Sequence, residues 1–278
     1  MTPDGAPGPA GRGGFKAEAG RYHLYAALIC PWASRTLITR KLKRLEDAVS
    51  VTIVEPQITE QGWRFGDYPG AGLDTLNGAT YLHELYSRAD PHFTGRATVP
   101  VLWDIETGAI VNNEATDIVR MFNSGFGALA DDDIDLYPEA LRPEIDAWNA
   151  RIYPALNNGV YRAGFATTQA AYEEAYHGVF AMLDELEQHL GSDKFLIGGR
   201  LTEADIRLFV TLVRFDVAYY GLFKCNRKRL ADYPALTAYL SRMLAMPEIR
   251  ETVNIDHIKR GYYSIRALNP SGIVPLGP

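Results

Sequence analysis

The sequence predicts an α/β unit followed by an all-helical unit, and three observations carry that expectation. Short strand-like runs alternate with helix signals up to about residue 123. From about Leu141 the apolar residues recur with helical periodicity, with few strand signals to the end. The chain has 278 residues, more than one small core usually spans, so two packed domains follow. The expected layout is a flexible leader over 1–20, an α/β domain over 21–123, and an all-helical domain with a C-terminal tail over 124–278.

Taken in order, the first 20 residues are rich in Gly, Ala and Pro and have nothing to bury. Tyr22, Leu24 and Ala26 then alternate with His23, Tyr25 and Ala27, a strand ending just before Ile29-Cys30. Pro31 suits a first helical position, where its missing N–H is no loss, and Ala33 to Lys43 carries helix formers. Val49 to Val54 is a second strand. Residues 55–96 are a long turn-rich passage, of a kind that is usually functional or a lid. Val99 to Trp103, Gly108 and Ile110-Val111 make a strand pair with a short turn, and Glu114 to Phe122 a helix. After a connection over Asn123 to Tyr137, helices are expected over Leu141 to Tyr161, Thr168 to Leu190, Thr202 to Tyr219 and Tyr233 to Met243. Thr202-Glu203-Ala204-Asp205 has capping-box spacing, with Asp in place of Glu. Tyr262 to Pro278 is an irregular tail.

The formal net charge of -6 argues against a large basic surface, and so against nucleic acid or an anionic membrane as partner. With 47% hydrophobic and 22% charged residues, the composition is that of a globular protein. No apolar run reaches the roughly 20 residues needed to cross a bilayer, and residues 1–20 lack the apolar core of a signal peptide, which points to the cytoplasm. Two cysteines, Cys30 and Cys225, are too few for a disulfide framework and lack the spacing of a zinc site, so no metal is expected.

A cysteine between a strand's end and a helix's first residue sits where unpaired N–H groups and the helix dipole favour negative charge, so Cys30 is expected to be the better thiolate. The alternative is a buried, inert thiol. Cys30-Pro31-Trp32-Ala33 lacks the second thiol of a Cys-x-x-Cys pair, so a mixed disulfide at Cys30 needs an external thiol or Cys225 to resolve it. Cys225 has no helix N-terminal signal and is expected to be structural. A proline at a strand's start, as in Val99-Pro100, can adopt a cis peptide that presents a backbone edge to a ligand, or can mark an ordinary edge strand. Glu114 can accept a ligand ammonium while neighbouring N–H groups bind a carboxylate, or can simply complement its helix's charge.

From Arg21 to Pro278 the chain resembles the glutathionyl-hydroquinone reductases, also called Xi-class glutathione transferases. The resemblance is carried by Arg21-Tyr22-His23-Leu24-Tyr25, Cys30-Pro31-Trp32-Ala33, Thr98-Val99-Pro100-Val101-Leu102-Trp103-Asp104, Asn112-Asn113-Glu114, Gly159-Val160-Tyr161, Arg214-Phe215-Asp216, Phe223-Lys224-Cys225 and Gly272-Ile273-Val274-Pro275-Leu276-Gly277-Pro278. It implies a thioredoxin-like N-terminal domain, an all-helical glutathione-transferase C-terminal domain and a homodimer. It also implies glutathione as co-substrate and glutathionyl-hydroquinones as substrates, attacked by Cys30.

By the same resemblance, glutathione sits against Trp63, the backbone of Ala97, Thr98, Val99 and Pro100, and the helix start at Glu114 and Ala115. Tyr161, Tyr219 and Tyr262 match the family's tyrosines around the aromatic substrate, the first as proton donor and the others favouring the thiolate; Tyr263 is the neighbouring alternative to Tyr262. Two positions depart from the family pattern. Ser34 stands where histidine is frequent, and Ala115 replaces a serine, which removes one hydroxyl donor to glutathione's γ-glutamyl carboxylate and implies weaker binding. Rival readings are a general thiol transferase or dehydroascorbate reductase, a transferase activating glutathione through Ser34, and a non-catalytic binding module of the same fold.

Overall fold

The computed structural model describes residues 1–6 and 14–277. These fall into two compact units, Met1–Asp135 with Thr252–His257, and Leu136–Glu251 with Ile258–Pro278.

In the first unit, β1 (Tyr22–Ala26) leads through Cys30 into α1 (Pro31–Leu42), and β2 (Val49–Ile53) runs parallel to β1. Every residue of β1 is buried, so its alternation does not separate a wet face from a dry one. A two-stranded hairpin, β3 (Ile58–Thr59) and β4 (Gly62–Trp63), precedes α2 (Leu82–Ala89). Then come β5 (Val101–Asp104), β6 (Ala109–Asn112) and α3 (Ala115–Arg120), with α3 packed on α1. The main sheet has the order β2-β1-β5-β6, with β5 antiparallel to both neighbours. This βαβ then ββα arrangement is the expected thioredoxin-like unit.

That topology decides where the site lies. Because β2 is parallel and β5 antiparallel to β1, the C-terminal ends of β1, β2 and β6 and the N-terminal end of β5 meet at one end of the sheet. Four connections therefore emerge together: Ala27 to Cys30, residues 54–81, Val99-Pro100, and Asn113-Glu114. The other end is tied by Arg21, whose Nε and Nη2 donate to the two carboxylate oxygens of Asp104 at 3.0 and 2.7 Å; Asp104 is fully buried.

Residues 55–96 differ from the expected turn-rich excursion, because they hold the β3–β4 hairpin and α2. Their loop is organised by Asp74, which accepts from Tyr25 Oη at 2.8 Å and from the N–H groups of Leu76, Asn77 and Ala79. Of the expected leader, residues 7–13 lie outside the described residues. Thr2 bridges to Lys16, and Tyr22 Oη donates to Lys16 O at 2.6 Å.

The second unit is helical: α4 (Arg142–Ile152), α5 (Gly159–Gly164), α6 (Gln169–Leu190), α7 (Glu203–Leu212), α8 (Pro234–Leu244), α9 (Pro247–Arg250) and the later part of α10 (Ile255–Tyr263). The helix expected over 141–161 is interrupted by π-helical turns at Tyr153–Asn157, where Pro154 cannot supply a normal helical donor. A second π-helical segment, Phe215–Tyr219, follows α7. The capping box forms as expected, with Asp205 accepting from Thr202 N at 2.9 Å. α9 and α10 occupy residues to which the sequence assigned no helix. Among the described residues, no helix is long and apolar enough to cross a membrane.

Candidate active site

Cys30 is the N-cap of α1, in extended backbone geometry, with Pro31 in the first turn. Its carbonyl accepts from Ser34 N and Ser34 Oγ, both at 3.0 Å, so Ser34 braces the helix start instead of presenting its hydroxyl outward. Cys30 is partly exposed, and its Sγ lies 3.7 Å from Val99 O. The Val99–Pro100 peptide is cis. The β1–β5 ladder stops at Val101, leaving Val99 and Pro100 outside it beside the sulfur.

The other residues expected around glutathione occupy the neighbouring connections. Trp63 is half-buried on β4, opposite Ile58. Ala97 and Thr98 precede the cis bond on the surface, with Thr98 held by the Tyr86 hydroxyl. Glu114 is exposed at the N-cap of α3 and accepts from Thr116 N at 3.3 Å, while its own N–H donates to Asn112 Oδ1 at 2.6 Å. Ala115 is buried in the first turn of α3.

In the second unit, Tyr161 of α5, Tyr219 of the π-helical segment and Tyr262 of α10 bring three hydroxyls together. Tyr262 Oη lies 2.5 Å from Tyr161 Oη and 2.8 Å from Tyr219 Oη, and the third side is 3.5 Å. Tyr219 and Tyr262 are buried, at 0% and 2% exposure, whereas Tyr161 is half-buried. Burial pushes the Tyr262 phenol well above its usual range, with the buried Arg214 pulling the other way, so Tyr262 keeps its proton. Phe223 packs against all three rings, with centroids 5.2 to 5.6 Å away. A Cβ at residue 164 would lie 2.4 Å from the Phe223 ring, so this close approach requires Gly164. Tyr263, the alternative to Tyr262, turns its hydroxyl toward Gly221.

Cys225 is fully buried, and that burial pushes its thiol up to about 12. Among the described residues, no group of three or more His, Cys, Asp and Glu side chains could hold a metal ion.

Residues 29–124 match the family description "Glutathione S-transferase, N-terminal domain", and residues 169–242 match "Glutathione S-transferase, C-terminal domain". The chain is 54% identical over 280 residues to the glutathionyl-hydroquinone reductase YqjG of Escherichia coli (strain K12), covering 100% of this chain and 85% of that protein. The glutathione-bound structure of YqjG superimposes with a TM-score of 0.97, covering 100% of this chain and 91% of that one. Glutathione transferase Xi 1 from Trametes versicolor is 49% identical with a TM-score of 0.93, covering 96% and 94% of the two chains. The chain belongs to the Xi-class glutathione transferases. A second glutathionyl-hydroquinone reductase, PcpF of Sphingobium chlorophenolicum, is 52% identical over 268 residues, 95% of this chain and 85% of that protein.

Two residues beside these groups, one in each unit, carry no signal of their own among the sequence motifs. Tyr86 holds Thr98, and Leu82, Leu85 and Tyr86, spaced i, i+3, i+4, are the helix signal that would have pointed to it. Phe223 was seen as part of a motif, but nothing in its spacing announces a ring shared by three tyrosines.

Proposed function

We propose that this protein catalyses the glutathione-dependent reduction of glutathionyl-hydroquinones, with Cys30 as nucleophile. The observation that carries the reading is Cys30 at the N-cap of α1, partly exposed and beside the Val99 carbonyl, with no second thiol in its motif. A helix N-terminus favours a thiolate there. The relatives named as glutathionyl-hydroquinone reductases support the substrate class, and the glutathione-bound structure of YqjG supports glutathione as co-substrate.

In the first step the Cys30 thiolate attacks the glutathionyl sulfur. The bond from that sulfur to the aromatic carbon breaks, and the ring takes a proton, leaving the hydroquinone and a Cys30–glutathione mixed disulfide. A second glutathione, as thiolate, attacks the glutathionyl sulfur of that disulfide, releasing oxidised glutathione and regenerating Cys30. The ring carbon is reduced by two electrons while the glutathionyl sulfur of the substrate and the thiol of the second glutathione are joined as one disulfide. Tyr161 supplies the proton, as the half-buried member of a cluster whose other phenols can donate toward its oxygen. Glutathione lies along Trp63, Ala97 to Pro100, Glu114 and Ala115. The protein works as a homodimer in the cytoplasm, and light scattering of the purified chain tests the dimer.

The deciding experiment is turnover of a glutathionyl-hydroquinone by the parent and by Cys30→Ser. The parent should release hydroquinone and oxidised glutathione, and show a glutathione adduct on Cys30 by mass spectrometry when glutathione is withheld. Cys30→Ser should do neither. Full activity in Cys30→Ser removes the mechanism, whereas parent turnover of dehydroascorbate or simple mixed disulfides, with none of the hydroquinone adduct, selects the thiol-transferase reading.

A further inference from the structure

The segments proposed to hold glutathione come from distant parts of the chain, and one side chain outside that set is bonded at two of them and stands on a helix joined to the third. Tyr86, on α2, is 2% exposed, with its ring packed against Phe93 at 4.9 Å between centroids. Its hydroxyl donates to Thr98 O at 2.7 Å, and accepts from Thr98 N at 3.3 Å and from Asn113 Nδ2 at 3.1 Å. A phenol hydroxyl has one proton and two lone pairs, so these contacts use its full hydrogen-bonding capacity. Thr98 immediately precedes Val99 and the cis-proline, and Asn113 immediately precedes Glu114.

The helix that carries Tyr86 is itself joined to the third segment. Arg64, next to Trp63, bridges to Tyr81, the N-cap residue of α2, and Phe65 N donates to Thr80 O at 2.9 Å. Glu84 Oε1 accepts from Tyr81 N at 2.9 Å and fixes the helix start. The Trp63 hairpin, the Thr98–Pro100 connection and the Asn113–Glu114 connection are thus held in one frame through α2, with the Tyr86 hydroxyl as the joint between the last two.

We infer that Tyr86 is a positioning residue for glutathione, setting the relative placement of the Thr98–Pro100 and Asn113–Glu114 segments without contacting the reacting sulfur. The inference rests on the glutathione site proposed above. A ligand that bridges two loops binds with an affinity that depends on their being pre-aligned, because disorder between them must be removed on binding. The Cys30 sulfur is carried by β1 and α1 and meets this frame at Val99 O, 3.7 Å away, so its alkylation should respond to loss of the joint far less than glutathione affinity does.

The test is calorimetric titration of glutathione into Cys30→Ser and into Cys30→Ser/Tyr86→Phe, with melting temperatures alongside. In the Cys30-containing pair, the rate of Cys30 alkylation by iodoacetamide and the split between kcat and KM for glutathione are measured. Tyr86→Phe keeps the buried ring, so the chain should fold. Its glutathione Kd and KM should rise about tenfold, with kcat and the alkylation rate within about twofold of the parent. Asn113→Ala, which removes one of the hydroxyl's bonds, should raise Kd by about threefold. An unchanged Kd in Tyr86→Phe, with or without a fall in melting temperature, overturns the inference and leaves the proposed function intact. Absence of glutathione binding to Cys30→Ser overturns the glutathione site itself, and this inference with it.

Discussion

His23 lies in β1 with 4% of its surface exposed, its Nδ1 2.7 Å from Ser50 Oγ and its Nε2 2.9 Å from Thr52 Oγ1 on β2. Neutral imidazole satisfies both hydroxyls, donating at one nitrogen and accepting at the other. Burial lowers the imidazole from its usual 6.5 to about 4, while the charges of Asp74 and Arg40 push in opposite directions. Because the folded value lies below the unfolded one, the unfolded chain binds the proton first. Stability is therefore complete above about pH 6.5 and is lost as the pH falls toward 4. From those two values, the loss between about pH 7.5 and about pH 5 is about 2 kcal/mol. The assay is urea unfolding of the parent and of His23→Gln at both pH values, using the difference between the two proteins so that all other titrations cancel. The stability advantage of the parent over His23→Gln should shrink by about 2 kcal/mol on acidification. A difference that stays constant to within about 0.5 kcal/mol would refute the argument that His23 is held neutral by burial.

Three further outcomes are expected. Asp104→Asn leaves the Arg21 guanidinium without its buried partner; Glu18 and Glu106, at 2.8 and 3.1 Å from Arg21 Nη1, soften the loss, so chemical unfolding should show a cost of about 2–3 kcal/mol. Ala115→Ser restores a hydroxyl at the start of α3 and should tighten glutathione binding by about 1 kcal/mol, roughly fivefold in Kd, with an unchanged Kd meaning that backbone N–H groups already satisfy the carboxylate. Tyr161→Phe should lower kcat on a glutathionyl-hydroquinone by about a hundredfold and leave alkylation of Cys30 within a few-fold, a split that full retained activity would contradict.

Much of the fold was legible because its signals are local. Pro31 after a strand marks the start of α1 one residue past Cys30, and Thr202 with Asp205 marks α7 by the spacing of two side chains. The helix α2 was missed because its N-cap is Tyr81, outside the usual capping set, and its partner Glu84 reaches back from within an otherwise Gly- and Asp-rich passage. For α10 the signal was present and overlooked, since Asn254 Oδ1 accepts from His257 N at 3.0 Å as an ordinary N-terminal cap. The π-helical segments have no local sequence rule that separates them from α-helix, although Pro154 is a physical reason for the one at Tyr153–Asn157. The place of Cys30 at the start of α1 was legible from local signals alone. The tyrosines were not: Tyr161, Tyr219 and Tyr262 lie on three separate elements, and their meeting is a product of tertiary packing.

The burial of Cys225 gives the two sulfurs of this chain very different chemical personalities. With its thiol pushed up to about 12 by burial, Cys225 keeps its proton at neutral pH, and the folded chain shields it from surface reagents. A maleimide dye should therefore mark the native protein at a single position and the denatured protein at two. Single labelling of the native chain would give it an attachment point for fluorescence or crosslinking without an engineered cysteine, at the expense of the proposed nucleophile.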